Sequence, residues 1–417
     1  MDTFIDYRDG TLHIEAIAAE ALAERYGTPC YVYSRGALEQ AWCEYDGAFG
    51  ERPHRVCYAV KANSNLAVLD VLARLGSGFD VVSVGELQRV LAAGGRAADV
   101  VFSGVGKRTD ELEFALAAGI GCFDVESAAE IERLDAVAQR LGRRAPVALR
   151  VNPEVDPRTH PYIATGLRES KFGIAWAEAP ALCRAVANRP GLQLRGLACH
   201  IGSQLTDAAP LREAATRMGE LARSLTGDGL PIAHIDLGGG LGVRYDDERP
   251  ITRGDLVTQL LHALGPLPPE TEIVLEPGRS IAAAAGVLLT GVEYLKPGPE
   301  RGFAIVDAAM NDLLRPSLYQ AWHAIRPVRP RQAPEQVWDV VGPVCESGDI
   351  LGRERALALE AGDLLAIFGA GAYGFVMSSQ YNSRPRAAEV MVDGTNCHLV
   401  RERESFEDLI RGEQRLP

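Results

Sequence analysis

A primary amine able to form a Schiff base has only four sources in this chain. Of its 43 basic residues, Lys61, Lys107, Lys171 and Lys296 are the lysines; the scarcity itself reflects a bias toward arginine. Lys61 ends the apolar run Tyr58-Ala59-Val60. Partial burial at a strand end favours the neutral, nucleophilic amine, whereas an ordinary strand-end lysine snorkels to solvent. The neighbouring motifs favour the first reading. Gly238-Gly239-Gly240-Leu241-Gly242 follows an apolar run and lets backbone N–H groups approach a phosphate closely. It is not the dinucleotide pattern G-x-G-x-x-G, and a glycine run alone is equally a tight turn. His200-Ile201-Gly202-Ser203 and Glu276-Pro277-Gly278-Arg279 close two other runs. His200 offers a ring to stack on a planar cofactor, against the commoner role of a satisfied structural histidine. Glu276 offers a carboxylate that keeps a pyridine nitrogen protonated, against the role of a structural ion-pair acid.

Two further clusters lie nearer the C-terminus. Arg315-Pro316-Ser317-Leu318-Tyr319 joins a bidentate carboxylate binder to a phenol one helical turn later. Gly342-Pro343-Val344-Cys345-Glu346-Ser347-Gly348-Asp349 puts a thiol beside acids. Neighbouring acids raise a thiol's pKa, which suits a proton donor better than a nucleophile. A metal is not expected. The eight cysteines (Cys30, Cys43, Cys57, Cys122, Cys183, Cys199, Cys345, Cys397) form no C-x-x-C pair.

The elements that must carry these residues are legible as alternation. Strand-like runs occur at Val56–Val60, Phe79–Val82, Val100–Ser103, Gly121–Val125, Val147–Val151, Gly196–His200, His234–Leu237 and Glu272–Leu275. Between them lie helical patterns such as Leu66–Leu75, Ser127–Leu141 and Leu211–Leu225, with apolar residues at i, i+3, i+4 and i+7. Eight such units are the number in a (β/α)8 barrel; an open doubly wound sheet has the same alternation, since counting does not show closure. In a barrel, the motifs above fall on the carboxyl ends of strands one, six, seven and eight, the rim where catalytic and phosphate-binding groups gather. After residue 280 the runs Val287–Leu295, Phe303–Val306, Val337–Val341, Leu364–Phe368 and Glu389–Val392 read as strands of a β-rich domain. Arg326–Pro334 reads as a surface loop. The expected division is an α/β barrel over 36–280 and a C-terminal β domain over 281–417, joined by residues 1–35.

With 417 residues, 47% of them hydrophobic, the chain has material for two cores. Its net charge of −13 and lack of a basic block disfavour a nucleic-acid or anionic-membrane partner. No run reaches the roughly 18–20 apolar residues of a membrane span. The N-terminal ten residues lack the basic and apolar regions of a signal peptide. A reducing cytoplasm is the expected location.

The segments Tyr58–Asn63, Phe79–Leu87, Ser170–Ile174, His200–Gln204, Gly238–Gly242, Glu276–Arg279, Arg315–Tyr319, Cys345–Asp349 and Gly371–Gly374 together resemble those of the bacterial diaminopimelate decarboxylase family, fold-type III pyridoxal-phosphate enzymes. The resemblance spans essentially the whole chain and shows no departure from these motifs. It implies an alanine-racemase-like barrel with a C-terminal β domain, and a head-to-tail homodimer with shared active sites. The implied reaction is the decarboxylation of meso-2,6-diaminopimelate to L-lysine and carbon dioxide, the last step of lysine biosynthesis. It further implies that Lys61 carries pyridoxal 5'-phosphate, that His200 stacks on its ring and that Glu276 pairs with the ring nitrogen. Ser203, Gly239, Gly240, Gly278, Arg279 and Tyr373 are implied phosphate ligands. Arg279, Arg315, Tyr319 and Tyr373 are implied substrate contacts, Glu346 the partner of the distal ammonium, and Cys345 the acid that reprotonates the α-carbon in the partner subunit's site. Rival readings are a same-fold decarboxylase of ornithine, arginine, carboxynorspermidine or a carrier-linked amino acid, a non-catalytic pyridoxal-phosphate-binding protein, and a cofactor-free barrel aldolase using Lys61. An ornithine enzyme needs only acids at the distal end of its substrate, whereas Arg315 with Glu346 matches a second amino-acid head.

Overall fold

A computed structural model describes residues 4–156 and 171–417. Twenty strands are described. β1 (Ile5–Arg8), β2 (Thr11–Ile14), β3 (Ile17–Ala18) and β4 (Cys30–Ser34) precede the barrel strands β5 (His54–Ala59), β6 (Gly78–Val81), β7 (Val100–Phe102), β8 (Cys122–Val125), β9 (Ala145–Arg150), β10 (Leu192–Ala198), β11 (His234–Asp236) and β12 (Glu272–Leu275). Then follow β13 (Gly286–Lys296), β14 (Gly302–Val306), β15 (Ile325–Pro327), β16 (Gln336–Val341), β17 (Ile350–Leu357), β18 (Leu364–Phe368), β19 (Ala388–Asp393) and β20 (Asn396–Arg401). The chain divides into two compact units. One holds 39–244 and 248–280, the other the residues up to Leu38, Tyr245–Asp247 and Ile281–Pro417.

In the first unit β5 to β12 are parallel and form a closed barrel. The registers Ile273↔His54, Val274↔Arg55 and Leu275↔Val56 join the last strand to the first, so the barrel stands and the open sheet falls. The strands are short and buried because helices cover one face and the lumen lies on the other. The helices begin where polar side chains satisfy their first N–H groups. Asn65 accepts from Ala67 N, Ser83 from Glu86 N, Ser127 from Glu130 N and Thr252 from Asp255 N, each such cap being worth about 1 kcal/mol.

The lumen is built in two levels. Cys57, Val101, Cys122, Ala148, Ala198 and Val274 form a tight apolar cluster. Because alternate residues of a strand share a face, Asp124 and Glu276, two positions beyond Cys122 and Val274, continue inward on the carboxyl side of that cluster.

In the second unit a sheet runs in the order β17-β16-β14-β13-β4-β19-β20, with β18 pairing β13 and β15 pairing β18. β4 pairs antiparallel with β13 and parallel with β19, so a segment that precedes the barrel in sequence sits inside this sheet. Leu12, Ile14, Leu22, Val32, Val287, Leu289, Val390 and Val392 fill its core. The segment read as a loop at Arg326–Pro334 is partly a strand, since β15 takes Ile325, Arg326 and Pro327 into register with Ile367, Ala366 and Leu365. Proline at the end of β15 marks where the ladder stops. No helix among the described residues is long and apolar enough to cross a membrane.

Candidate active site

The four lysines occupy different settings. Lys107 is buried, and its Nζ donates to Gly104 O, Asp124 O and Glu130 Oε1, each at 2.7 Å; an ammonium has three protons, and all are engaged. Lys171 and Lys296 are exposed. Lys61 lies on the 3-10 turn Val60–Ala62 directly after β5, with its ammonium paired to Asp80 of β6. Asp80 is wholly buried. A carboxylate in contact favours the charged amine, the reverse of what burial alone does. Lys61 therefore meets a buried acid that its sequence setting did not reveal.

Asp80 belongs to a larger group. Asp124, Asp236 and Glu276 are buried, and one oxygen of each lies within 4.8 Å of the others. Crowding of like charges in a low dielectric makes ionisation costly. Burial first, then Asp236 and Asp80, push Glu276 well above the usual carboxylate range. Burial first, then Asp236, do the same to Asp124. Asp236 rises to about 7, mainly through burial. All three shifts favour the protonated carboxyl over the ionised one. Asp80 Oδ1, Asp124 Oδ1 and Asp236 Oδ2 are buried without a hydrogen-bond partner, and Ser103 Oγ lies 3.5 Å from Glu276 Oε1.

Beside these acids the glycine loop is tightly tied. Gly238 N donates to Asp236 Oδ1 at 2.7 Å, and Glu276 N donates to Gly238 O at 2.8 Å. At Gly239 a Cβ would stand 2.3 Å from Glu276 O, a separation no side chain tolerates, so only glycine fits. Gly239 N donates to His200 Nδ1 at 3.2 Å, which makes Nδ1 an acceptor and the imidazole neutral. Burial first, then Arg150 and Lys61, push His200 well below the usual imidazole range, in the same sense. Leu205 N donates to Gly240 O and Gly242 N to Leu205 O, both at 2.9 Å, stitching the loop after β10 to the loop after β11. Arg279, almost fully buried, reaches Ser203 Oγ with Nε and Nη2, each at 3.2 Å. Gly278 packs on Ala59 and Ala62, where a Cβ would come within 2.9 Å of Ala59 Cβ. The barrel unit thus brings together Lys61, His200, Ser203, Gly239, Gly240, Glu276, Gly278 and Arg279.

The β unit holds the others. Arg315 opens the helix Arg315–Tyr319 and is buried. Its guanidinium lies over the Tyr245 ring, 4.5 Å from the centroid, and donates from Nη1 to His323 Nε2 at 2.7 Å. His323 Nδ1 donates to Phe368 O at 2.8 Å, which fixes that tautomer. The loop from Gly342 is pinned by Asp349, whose carboxylate accepts from Met310 N at 2.6 Å and Val344 N at 2.8 Å. Cys345 is exposed on this loop and donates its N–H to Asn382 Oδ1 at 2.9 Å. Glu346 accepts from the Tyr381 hydroxyl. Ser317 Oγ donates to Gly348 O at 2.7 Å, tying the helix that carries Arg315 and Tyr319 to the Cys345 loop. Tyr373 sits in the turn after β18 with φ of 54°. Ser170, at the start of the Ser170–Ile174 motif, lies outside the described residues.

Residues 35–283 match the family model described as "Pyridoxal-dependent decarboxylase, pyridoxal binding domain". The chain is 57% identical over its full length, and that of the relative, to diaminopimelate decarboxylase of Pseudomonas aeruginosa. It is 55% identical, again over both full lengths, to diaminopimelate decarboxylase of Vibrio cholerae. The chain belongs to the diaminopimelate decarboxylase family. A solved diaminopimelate decarboxylase of Helicobacter pylori, complexed with L-lysine, superposes with a TM-score of 0.91 at 45% identity, covering 94% of this chain and 98% of that one.

The residues of this family member fit pyridoxal phosphate, the group its matched domain binds. A loop where Cβ atoms are excluded, with the Ser203 hydroxyl and the Arg279 guanidinium nearby, is chemistry for a phosphate. Buried acids with orphaned oxygens gain a partner from a heteroaromatic N–H cation. Lys61 supplies the amine.

Sequence reasoning passed over Asp80, Asp124, Asp236, His323 and Tyr381. The first three left a signal. Phe79-Asp80-Val81 and Phe123-Asp124-Val125 repeat one pattern in two strands, and Asp236 follows Ile235 in a third; a lone acid within a buried strand is the informative kind of exception. His323 and Tyr381 left none, because their partners Arg315 and Glu346 are distant in sequence or across loops.

Proposed function

We propose that this protein decarboxylates meso-2,6-diaminopimelate to L-lysine and carbon dioxide, the last step of lysine biosynthesis, with pyridoxal phosphate held on Lys61. The observation that carries the reading is the setting of Lys61. Of four lysines it alone ends a barrel strand at the rim where Asp80, the glycine loop and Glu276 converge. Full-length identity to diaminopimelate decarboxylases supports the choice of substrate, and so does the fit of the L-lysine-bound relative.

Bound pyridoxal phosphate supplies a protonated conjugated ring that accepts the electron pair left as carbon dioxide departs. The residues do the rest. Asp80 holds the Lys61 side chain in place by their ion pair. Glu276, whose carboxyl is shifted toward holding a proton by burial and by Asp236, would share that proton with the ring nitrogen. Neutral His200 would stack on the ring without adding a competing charge. Ser203, Gly239, Gly240, Gly278, Arg279 and Tyr373 hold the phosphate. Arg279, Arg315, Tyr319 and Tyr373 orient the substrate, with Arg315 on the distal carboxylate and Glu346 on the distal ammonium. Such positioning fixes which bond breaks. The Cys345 thiol delivers the proton that replaces the carboxylate on the α-carbon.

The reading includes a homodimer in which Cys345 serves the partner's site, no nucleic-acid or membrane partner, and a cytoplasmic location. The eight free thiols support a reducing compartment. The test is turnover of purified holoenzyme on meso-diaminopimelate, ornithine, arginine and lysine, reading carbon dioxide and L-lysine. Diaminopimelate alone is expected to be consumed at an appreciable rate. Comparable turnover of ornithine overturns the substrate; no release of carbon dioxide from any of them overturns the activity.

A further inference from the structure

The β unit contains a cavity of about 410 Å³ whose lining includes Pro316, Ser317, Trp322, Gly348, Arg353 and Arg355. This is within the size range of small-molecule sites. No acidic residue lines it among the described residues, while two arginines do.

Arg355 is aimed there by a local irregularity. Trp338 of β16 pairs with Arg355 and Val340 pairs with Gly352, so β17 carries one residue more than its partner across this step. Such bulges bend a strand and redirect a side chain. Glu354, inside the bulge, has φ of 52°, a conformation unfavourable for a residue with a Cβ. Its N–H is held at 2.8 Å by Oδ1 of the buried Asp339. The bulge folds Arg355 back over Gly352, where a Cβ would meet Arg355 Nε at 2.6 Å. The guanidinium also lies on the Trp322 ring. Arg355 is 6% exposed, and its Nε is buried with no hydrogen-bond partner. Burial outweighs the attraction of Asp246 and lowers the guanidinium to about 10. A buried cation held by strain, with an unmet donor and an aromatic wall, is a costly arrangement for packing alone.

We propose that this cavity binds a small organic carboxylate, gripped by the planar fork of Arg355 with Arg353 beside it and with its apolar part on Trp322. The fork and ring suit a carboxylate on a short carbon skeleton.

The test uses holoenzyme carrying 15N-labelled indoles and succinate as the probe. The chain has four tryptophans, and Trp322→Phe assigns the resonance that matters. Succinate is expected to move the Trp322 indole signal saturably, and sodium chloride of equal ionic strength to leave it in place. Arg355→Gln should weaken binding about tenfold or more, as expected for loss of a charge-assisted pair. Arg355→Lys, which keeps the charge and loses the fork, should fall between. If Arg355→Gln does not fold, Arg353→Gln serves in its place, with a smaller loss expected. An unmoved Trp322 signal, a shift matched by chloride, or unchanged affinity in the variants overturns the proposal. So does a signal that responds to protein concentration and not to succinate, which would mark a second copy of the chain as the occupant.

Discussion

Lys107 spends its ammonium on Gly104, Asp124 and Glu130, whereas Lys61 stands at the end of β5 with Asp80 as its ion-pair partner. The Lys107 side chain is 1% exposed and that of Lys61 is 35% exposed, so only the second amine stands where a cofactor aldehyde can reach it. Borohydride reduction of the holoenzyme followed by peptide mapping should therefore mark Lys61; a label on Lys107, Lys171 or Lys296 instead would remove it from the role. The Cys345 thiol is exposed on a loop held by Asp349 and Asn382, so its replacement costs little in packing. Cys345→Ala should lower kcat by roughly 10²–10⁴, the usual loss of a positioned general acid, with cofactor absorbance intact. Undiminished turnover would take Cys345 out of the mechanism. Arg315→Ala should raise KM for diaminopimelate by about tenfold or more while the cofactor spectrum stays in place. A KM unchanged from wild type would assign the distal carboxylate to another residue.

At the scale of elements, the loop after β11 and the acids beneath it act together, since Asp236 caps Gly238 and Glu276 bonds back to Gly238. Gly239→Ala would force a Cβ against Glu276 O. It should cost about 1–3 kcal/mol in stability, as overpacking does, and weaken pyridoxal phosphate binding; thermal melting and cofactor titration measure the two. Asp236 carries the pH signature. Its carboxyl titrates near 3.8 when exposed and about 7 when folded, so the folded state favours the protonated acid. The stability this contributes is full below about 3.8 and is lost as pH rises through about 7. In cofactor-stripped protein, Asp236→Asn, which keeps an acceptor for Gly238 N, should lose less stability than wild type between those limits. Parallel melting curves for the two proteins across that range would show that Asp236 is not the group responsible.

For the whole molecule, the proposed homodimer makes a prediction that single-chain chemistry does not. Alone, Cys345→Ala is expected to be strongly impaired and Lys61→Ala inactive. Mixed and allowed to exchange subunits, they should recover activity, because a heterodimer would contain one site with both Lys61 and the partner's Cys345. No recovery, with exchange verified by mass, would mean that each site is built from one chain.

The eight βα units were legible in the sequence because a barrel strand buries both faces and so reads as a short apolar run bounded by helical periodicity. Lys61, Gly238–Gly242 and Glu276–Arg279 were legible because they interrupt that texture at strand ends. Closure was not, since it consists of β12 pairing with β5 across more than half of the chain's length, and no local pattern encodes it. β15 was hidden for a similar reason: its pairing with β18 outweighs the prolines that make its sequence look like a loop. The charge state of the site also belonged to the tertiary structure. Sequence determined that a lysine would end β5 and a glutamate would follow β12. That the lysine pairs with Asp80, and that Glu276 shares its burial with Asp124 and Asp236, follows only from strands brought side by side, because ionisation inside a barrel depends on which charges meet there and on how little water separates them.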